Sequence, residues 1–211
     1  MRRGIGMNIH PEEIAFDFDG VVADTFRLFV RLAKENYNYD INYDDITDYH
    51  FLNVVNMEEK HALEIIDILT NEPHEIDLMP NEGAGEVLTR MTAFSPLLVV
   101  TARPVAEPIE LWFERHIPQV GPKCLHIEAT GVNTAKIEIL KDNNVKYFID
   151  DRLDTCFLLQ EVGIVPIIYT QPWNRQPHPF HAVSSWANIA ALIDWNANIG
   201  KNSSCSPPSL R

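Results

Sequence analysis

The feature that most constrains this chain is the alternation of short apolar runs with amphipathic segments of helical length. The runs are Ile14 to Phe18, Leu97 to Thr101, Cys124 to Ile127, Val145 to Asp150 and Ile164 to Tyr169. Each is too short for a buried helix and suits a strand covered on both faces. Helical patterns fall between them: Glu82 to Met91 after Asn81 as N-cap, Ala106 to His116, Ala135 to Asp142 capped by Thr134, Arg152 to Val162 ending at Gly163, and Ser185 to Trp195. Strands and helices in this order predict βαβ crossovers, hence an α/β doubly wound (Rossmann-like) parallel sheet of about five strands. Pro166 in the last run favours an edge position for that strand.

One stretch breaks the alternation. Phe26, Phe29, Val30 and Ala33 fall on one helical face, and a second helix is expected from Asn56, in a capping box with Glu59, through Leu63, Ile66 and Leu69 to Pro73. Residues 25–79 are therefore predicted to be a small all-helical cap inserted after the first strand, with 1–24 and 80–199 forming the core. Four tyrosines, Tyr37, Tyr39, Tyr43 and Tyr49, lie between its helices. Residues 200–211 are rich in serine and proline and are expected to be a disordered tail.

Charge and cysteine usage exclude several function classes. Thirty acidic against 17 basic side chains leave a net charge of −13, which repels polyanions. Polymeric nucleic acid and anionic membrane are thus not expected partners. A small anionic substrate is allowed if local positive charge is supplied. Cys124, Cys156 and Cys205 are odd in number and without CxxC spacing, which suggests neither a disulfide framework nor a zinc site. With no apolar run behind the N-terminal arginines, a cytoplasmic location is expected.

In a parallel sheet, chemistry gathers at the carboxyl ends of the strands. Here the first strand delivers Asp17 and Asp19 before Gly20, the second delivers Thr101, and the fourth delivers Asp150 and Asp151. Lys136 opens the helix after the third strand, at the same end. Four carboxylates converging on one basic group call for a divalent cation, and all-oxygen donors point to Mg²⁺.

These residues resemble the four motifs of the haloacid dehalogenase superfamily: Asp17-Phe18-Asp19-Gly20-Val21, Thr101 in VVTARP, Lys136, and Asp150-Asp151 in YFIDD. The resemblance implies a phosphatase in which Asp17 is the nucleophile and Asp19 the general acid and base. It implies Mg²⁺ held by the Asp17 and Asp150 side chains and the Asp19 carbonyl, with Asp151 behind them. Thr101, Lys136 and the N–H groups around Phe18 and Ala102 would hold the transferring oxygens. The acid at Asp19 fits oxygen esters and disfavours dehalogenation.

Further stretches, DFDGVVADT, Asp150-Asp151-Arg152, QPWNR (171–175) and Ser185-Trp186, resemble the 5′(3′)-deoxyribonucleotidase branch. That implies a nucleoside monophosphate as substrate, and the place of Phe18 between Asp17 and Asp19, facing an aromatic-rich cap, leads us to expect a planar base stacked on it. Phosphoglycolate or sugar phosphate hydrolysis, phosphotransfer or mutase chemistry, and a non-catalytic phosphoryl-binding role are the alternatives. Arg103 could reach substrate phosphate or form a surface ion pair. His178 and His181, flanked by Pro177 and Pro179, are expected to be loop residues rather than metal ligands.

Overall fold

A computed structural model describes residues 7–198, so the expected tail at 200–211 lies outside the described residues. Among the described residues six parallel strands form one sheet: β1 (Ile14–Phe16), β2 (Leu97–Thr101), β3 (Leu125–Ala129), β4 (Tyr147–Asp150), β5 (Val165–Tyr169) and β6 (His181–Val183). Their order is β3-β2-β1-β4-β5-β6. The chain winds outward from β1 through β2 to β3, crosses back to β4, and winds the other way. The doubly wound fold is as expected, and its switch point lies beside β1, where β1 pairs with both β2 and β4.

The period-2 alternation of the strands sorts the sheet into two faces. Phe16, Val99, Ile149 and Ile167 face one way, onto α3 (Ala84–Met91), α4 (Glu107–His116) and α7 (Trp186–Leu192). Ala15, Val100 and Phe148 face the other way, onto α5 (Lys136–Asp142) and α6 (Leu153–Glu161). Trp112, Phe113 and Trp186 fill the first face and are almost fully buried. Each such side chain contributes roughly 1.5–3 kcal/mol or more of transfer free energy.

Several local expectations are corrected. The sheet of about five strands is as expected, with six among the described residues; the local reading that changes is His181, which opens β6 instead of lying in a loop. β6 pairs with Ile167 to Tyr169, so β5 is not an edge strand. Pro166 is nevertheless tolerated, since β6 begins one residue past it and needs no N–H there. Asn81 does not cap α3; its side chain donates to the Val21 carbonyl at 2.8 Å, and Gly83 at φ +83° makes the turn instead. Thr134 sits inside a 3₁₀ turn, Asn133–Ala135, ahead of α5. Cys156 is a buried free thiol.

Between β1 and α3 lie α1 (Thr25–Tyr37) and α2 (Glu59–Asn71), packed on each other and joined by short 3₁₀ turns. No Asn56–Glu59 box forms at the start of α2: Glu58 takes the N-cap position without a side-chain cap, and its N–H is engaged by the Tyr39 hydroxyl at 3.2 Å. Entry and exit of the segment are tied together. Asp24 N–H donates to Met79 O at 3.0 Å, and Ala23 bridges Pro80.

Candidate active site

The turn after β1 is built to project two acids. Asp17 N–H donates to Ile149 O at 2.9 Å, carrying the β1–β4 ladder one residue past the strand. The chain then folds back, with the N–H groups of Val22 and Ala23 on Phe18 O, each at 2.9 Å, and Gly20 at φ +71°. Trp186 Nε1 and Gln171 Nε2 hold the carbonyls of Val21 and Gly20 at 3.0 and 2.6 Å.

Asp17, Lys136, Asp150 and Asp151 converge at the carboxyl end of β1 and β4. All four are buried, Lys136 and Asp150 completely. Lys136 Nζ donates to Asp17 Oδ2 at 2.7 Å and to Asp150 Oδ2 at 3.0 Å. Asp17 Oδ1 accepts the Phe18 N–H at 2.7 Å, and Asp150 Oδ1 accepts the Arg152 N–H at 2.8 Å. Burial pushes the Asp17 carboxyl up to about 7 against the pull of Lys136, with Asp150 adding to the rise. Burial would lower Lys136, but Asp150 and Asp17 hold it above its ordinary value. Asp151 is raised well above the carboxylate range by burial and by Asp150.

This donor set fits a divalent cation. Oxygens of Asp17, Asp150 and Asp151 lie within 4.8 Å of one another, and Asp151 Oδ2 is buried without a hydrogen-bond partner. One lysine cannot neutralise three buried carboxylates. A hard cation with oxygen ligands would supply the missing charge.

The other site residues divide. Thr101, buried at the end of β2, accepts the Arg103 N–H on Oγ1 at 3.2 Å, which folds the Ala102 turn over the sheet end. Asp19 turns away from the lysine. Its Oδ1 accepts from Thr25 Oγ1 at 2.6 Å and Arg103 Nη2 at 2.7 Å, and its Oδ2 accepts from Arg103 Nε at 2.9 Å. Burial would raise its pKa, but the Arg103 guanidinium and the Thr25 hydroxyl hold it below the usual value. Arg103 is therefore neither at the surface nor free to reach a phosphate: it is 7% exposed, and its Nη1 donates to Leu69 O and Thr70 O at 2.8 and 3.1 Å.

Phe18 is corrected as a stacking platform. Its ring is wholly buried, edge-on to Trp112 at 4.9 Å between centroids, so no base can lie on it. The aromatic surface open to a ligand lies in the insert instead. Phe26, Phe29, Tyr49 and Phe51 line a cavity of about 600 Å³ that has Asp19 in its wall. His178 stacks on Phe180, and His181 is exposed on β6, so the two form no metal site.

Residues that sequence reasoning left without a role complete the frame. The 3₁₀ turn Pro172–Asn174 locks the β4 loop, with Trp173 Nε1 and Asn174 Nδ2 donating to Asp151 O at 3.2 and 2.8 Å. Gln171 accepts from the Tyr43 hydroxyl at 2.6 Å, tying the insert to the turn that carries Asp17. Arg152 stacks under the Tyr49 ring at 3.9 Å. The QPWNR run marks this turn in the sequence, but its contacts to Asp151, Tyr43 and Gly20 span 22 to 151 residues and no local pattern announces them.

The chain is similar to known proteins in sequence and in fold. The model of the family described as 5′ nucleotidase, deoxy (Pyrimidine), cytosolic type C protein matches residues 12–199. A provisionally named nucleotidase of Halalkalibacterium halodurans is 26% identical over 192 residues, 87% of this chain and 93% of that protein. Another, YqfW of Bacillus subtilis, is 25% identical over 171 residues, 78% of this chain and 83% of its own. Among solved structures, CbbY of Rhodobacter sphaeroides in complex with xylulose-1,5-bisphosphate superposes with a TM-score of 0.55 at 14% identity, covering 86% of this chain and 99% of that one. With the family model spanning nearly all of the described residues, this chain has the fold of haloacid dehalogenase-like hydrolases, belongs to the family described as 5′ nucleotidase, deoxy (Pyrimidine), cytosolic type C protein, and is a phosphatase of the nucleotidase type.

Proposed function

We propose that the protein is a Mg²⁺-dependent phosphomonoesterase that hydrolyses nucleoside monophosphates through an aspartyl-phosphate on Asp17. The observation that carries the reading is the junction of two environments at one turn: Asp17 in the buried cluster with Lys136, and Asp19, two residues on, in the wall of an aromatic cavity. A phosphoryl group at Asp17 would leave its alcohol facing that cavity.

In the first step an Asp17 carboxylate oxygen attacks phosphorus, the ester P–O bond breaks, and the electron pair leaves on the alcohol oxygen, which takes a proton from Asp19. In the second, water attacks the same phosphorus while Asp19 accepts its proton, and the bond from phosphorus to Asp17 breaks to release phosphate. Lys136 and Thr101, with the N–H groups of the turns at Phe18 and Ala102, hold the equatorial oxygens. Asp17, Asp150 and the Asp19 carbonyl would hold Mg²⁺, and Asp151 completes the set. When bound, the ion neutralises charge on the phosphoryl oxygens.

Residues 25–79 act as a cap that shields the reaction from water, and the cavity of about 600 Å³ between cap and core suits a nucleoside. Among the described residues no helix is long and apolar enough to cross a membrane; the cytoplasmic location we propose is supported by the family's description as cytosolic. The test is phosphate release from deoxynucleoside monophosphates. EDTA should abolish it, Mg²⁺ should restore it, and Asp17→Asn should lose it; full turnover in excess chelator would overturn the reading.

A further inference from the structure

Arg103 connects two things that the chemistry must coordinate. One edge of its guanidinium forms a fork on Asp19, Nε to Oδ2 at 2.9 Å and Nη2 to Oδ1 at 2.7 Å. The remaining nitrogen, Nη1, donates to the carbonyls of Leu69 and Thr70 in the last turn of α2. Those carbonyls have no intrahelical partner at a helix end and carry its negative partial charge, so they grip a guanidinium well. The arginine is fixed from below by its own N–H on Thr101 and by the Phe18 ring, 4.9 Å away. Both oxygens of Asp19 thus accept from Arg103, and Oδ1 accepts from Thr25 as well, so the orientation of the carboxylate is fixed by this arginine.

The same cavity touches both ends of this link. Asp19 and Leu69 each line it, with Ile66 one helical turn before Leu69. A ligand that fills the cavity therefore contacts the last turn of α2, whose carbonyls hold Arg103.

We propose that Arg103 is a positioning residue that parks Asp19 while α2 is seated, and that a ligand filling the cavity shifts the end of α2 and frees Asp19 for the leaving group. The inference rests on the phosphomonoesterase reading and adds a selectivity device to it. The substrate's non-reacting part then contributes to turnover rather than to binding alone, because its contacts are used to break the Arg103 link. A phosphate ester with the same primary alcohol but no base leaves α2 seated and Asp19 parked.

The discriminating pair is a deoxynucleoside 5′-monophosphate against 2-deoxyribose 5-phosphate, with kcat and KM measured separately for each. The wild-type enzyme should favour the nucleotide in kcat. In Arg103→Gln the kcat ratio should fall roughly tenfold, within the range typical of coupling between two sites. Most of that fall should come from a gain on the sugar phosphate, with Ki for inorganic phosphate unchanged. Thr25→Val, which removes the third donor to Asp19 without touching α2, should lower the ratio in the same direction and by less. An unchanged ratio in a folded Arg103→Gln enzyme overturns the proposal, and so does a tenfold weaker phosphate Ki, which would make Arg103 a phosphate ligand. Should Arg103→Gln fail to fold, an unchanged ratio in Thr25→Val overturns it. Failure of the wild type on every phosphate ester is a separate outcome and overturns the phosphomonoesterase reading itself.

Discussion

A Cβ built on Gly20 would lie 2.2 Å from Asp151 Oδ2. The two residues are 131 positions apart in the chain, and the turn carrying Asp17 and Asp19 can nest against the β4 loop only because one of them has no side chain. Trp173 and Asn174 hold the Asp151 carbonyl, so only its buried carboxylate can move aside, which would displace it from the cluster with Asp17 and Asp150. Gly20 also sits at φ +71°, where a Cβ costs about 1–2 kcal/mol. Gly20→Ala should lower the melting temperature by roughly 2–8 °C and should reduce phosphatase activity by far more than that stability loss explains. Activity retained within about twofold would mean that the contact does not set the position of Asp151.

Lys136 offers a second measurement. Its ammonium is fully buried between Asp17 and Asp150, and replacing it with methionine leaves two carboxylates facing each other without a counter-charge. Breaking a buried pair in this way costs about 3–5 kcal/mol. Urea unfolding of Lys136→Met in EDTA should show a loss of that size, smaller when Mg²⁺ is added. A loss below about 1 kcal/mol would rule out a structural contribution from this cation.

The pH dependence of metal stabilisation follows from Asp17. Its folded pKa, about 7, lies above the unfolded value of 3.8, so between those limits the folded metal-free protein binds the extra proton. The stability from this group is fully present below 3.8 and is lost as pH rises through about 7. A divalent cation competes with that proton. The rise in melting temperature on adding Mg²⁺ should therefore be larger at pH 8 than at pH 5.5. A rise independent of pH would show that Asp17 is not a ligand.

Substrate choice is tested at the cavity wall. Tyr49 lines it, and its ring is backed by Arg152. Stacking of a base on an aromatic ring contributes about 1–3 kcal/mol, or roughly 5- to 150-fold in kcat/KM. Deoxynucleoside monophosphates should be turned over with higher kcat/KM than phosphoglycolate or hexose phosphates, and Tyr49→Ala should shrink that preference by a factor in this range. A panel in which the sugar phosphates are the better substrates would remove the nucleotide assignment and leave the phosphatase chemistry standing.

Much of the molecule was legible in the chain itself. The short β-rich runs and their intervening helices specify a doubly wound parallel sheet, because a strand buried on both faces has to be continuously apolar and its crossover has to be a helix. That topology alone brings the ends of β1, β2 and β4 together, which is why Asp17, Thr101, Lys136, Asp150 and Asp151 could be named before any coordinate. What each side chain faces was not local information. Phe18 follows Asp17 in the motif, yet its ring turns inward because Trp112 and Phe113 offer it a buried site. Arg103 sits beside the Thr101 turn, yet it reaches Asp19 and the carbonyls of α2, groups 84, 34 and 33 residues away. His181 looked like a loop residue because neighbouring prolines dominate the local pattern, and only the open edge of β5 makes it a strand. Patterning of apolar residues sets the layers and the end of the sheet where chemistry gathers. The pairing of polar groups within that end depends on contacts between distant segments, and only the packed tertiary structure decides it.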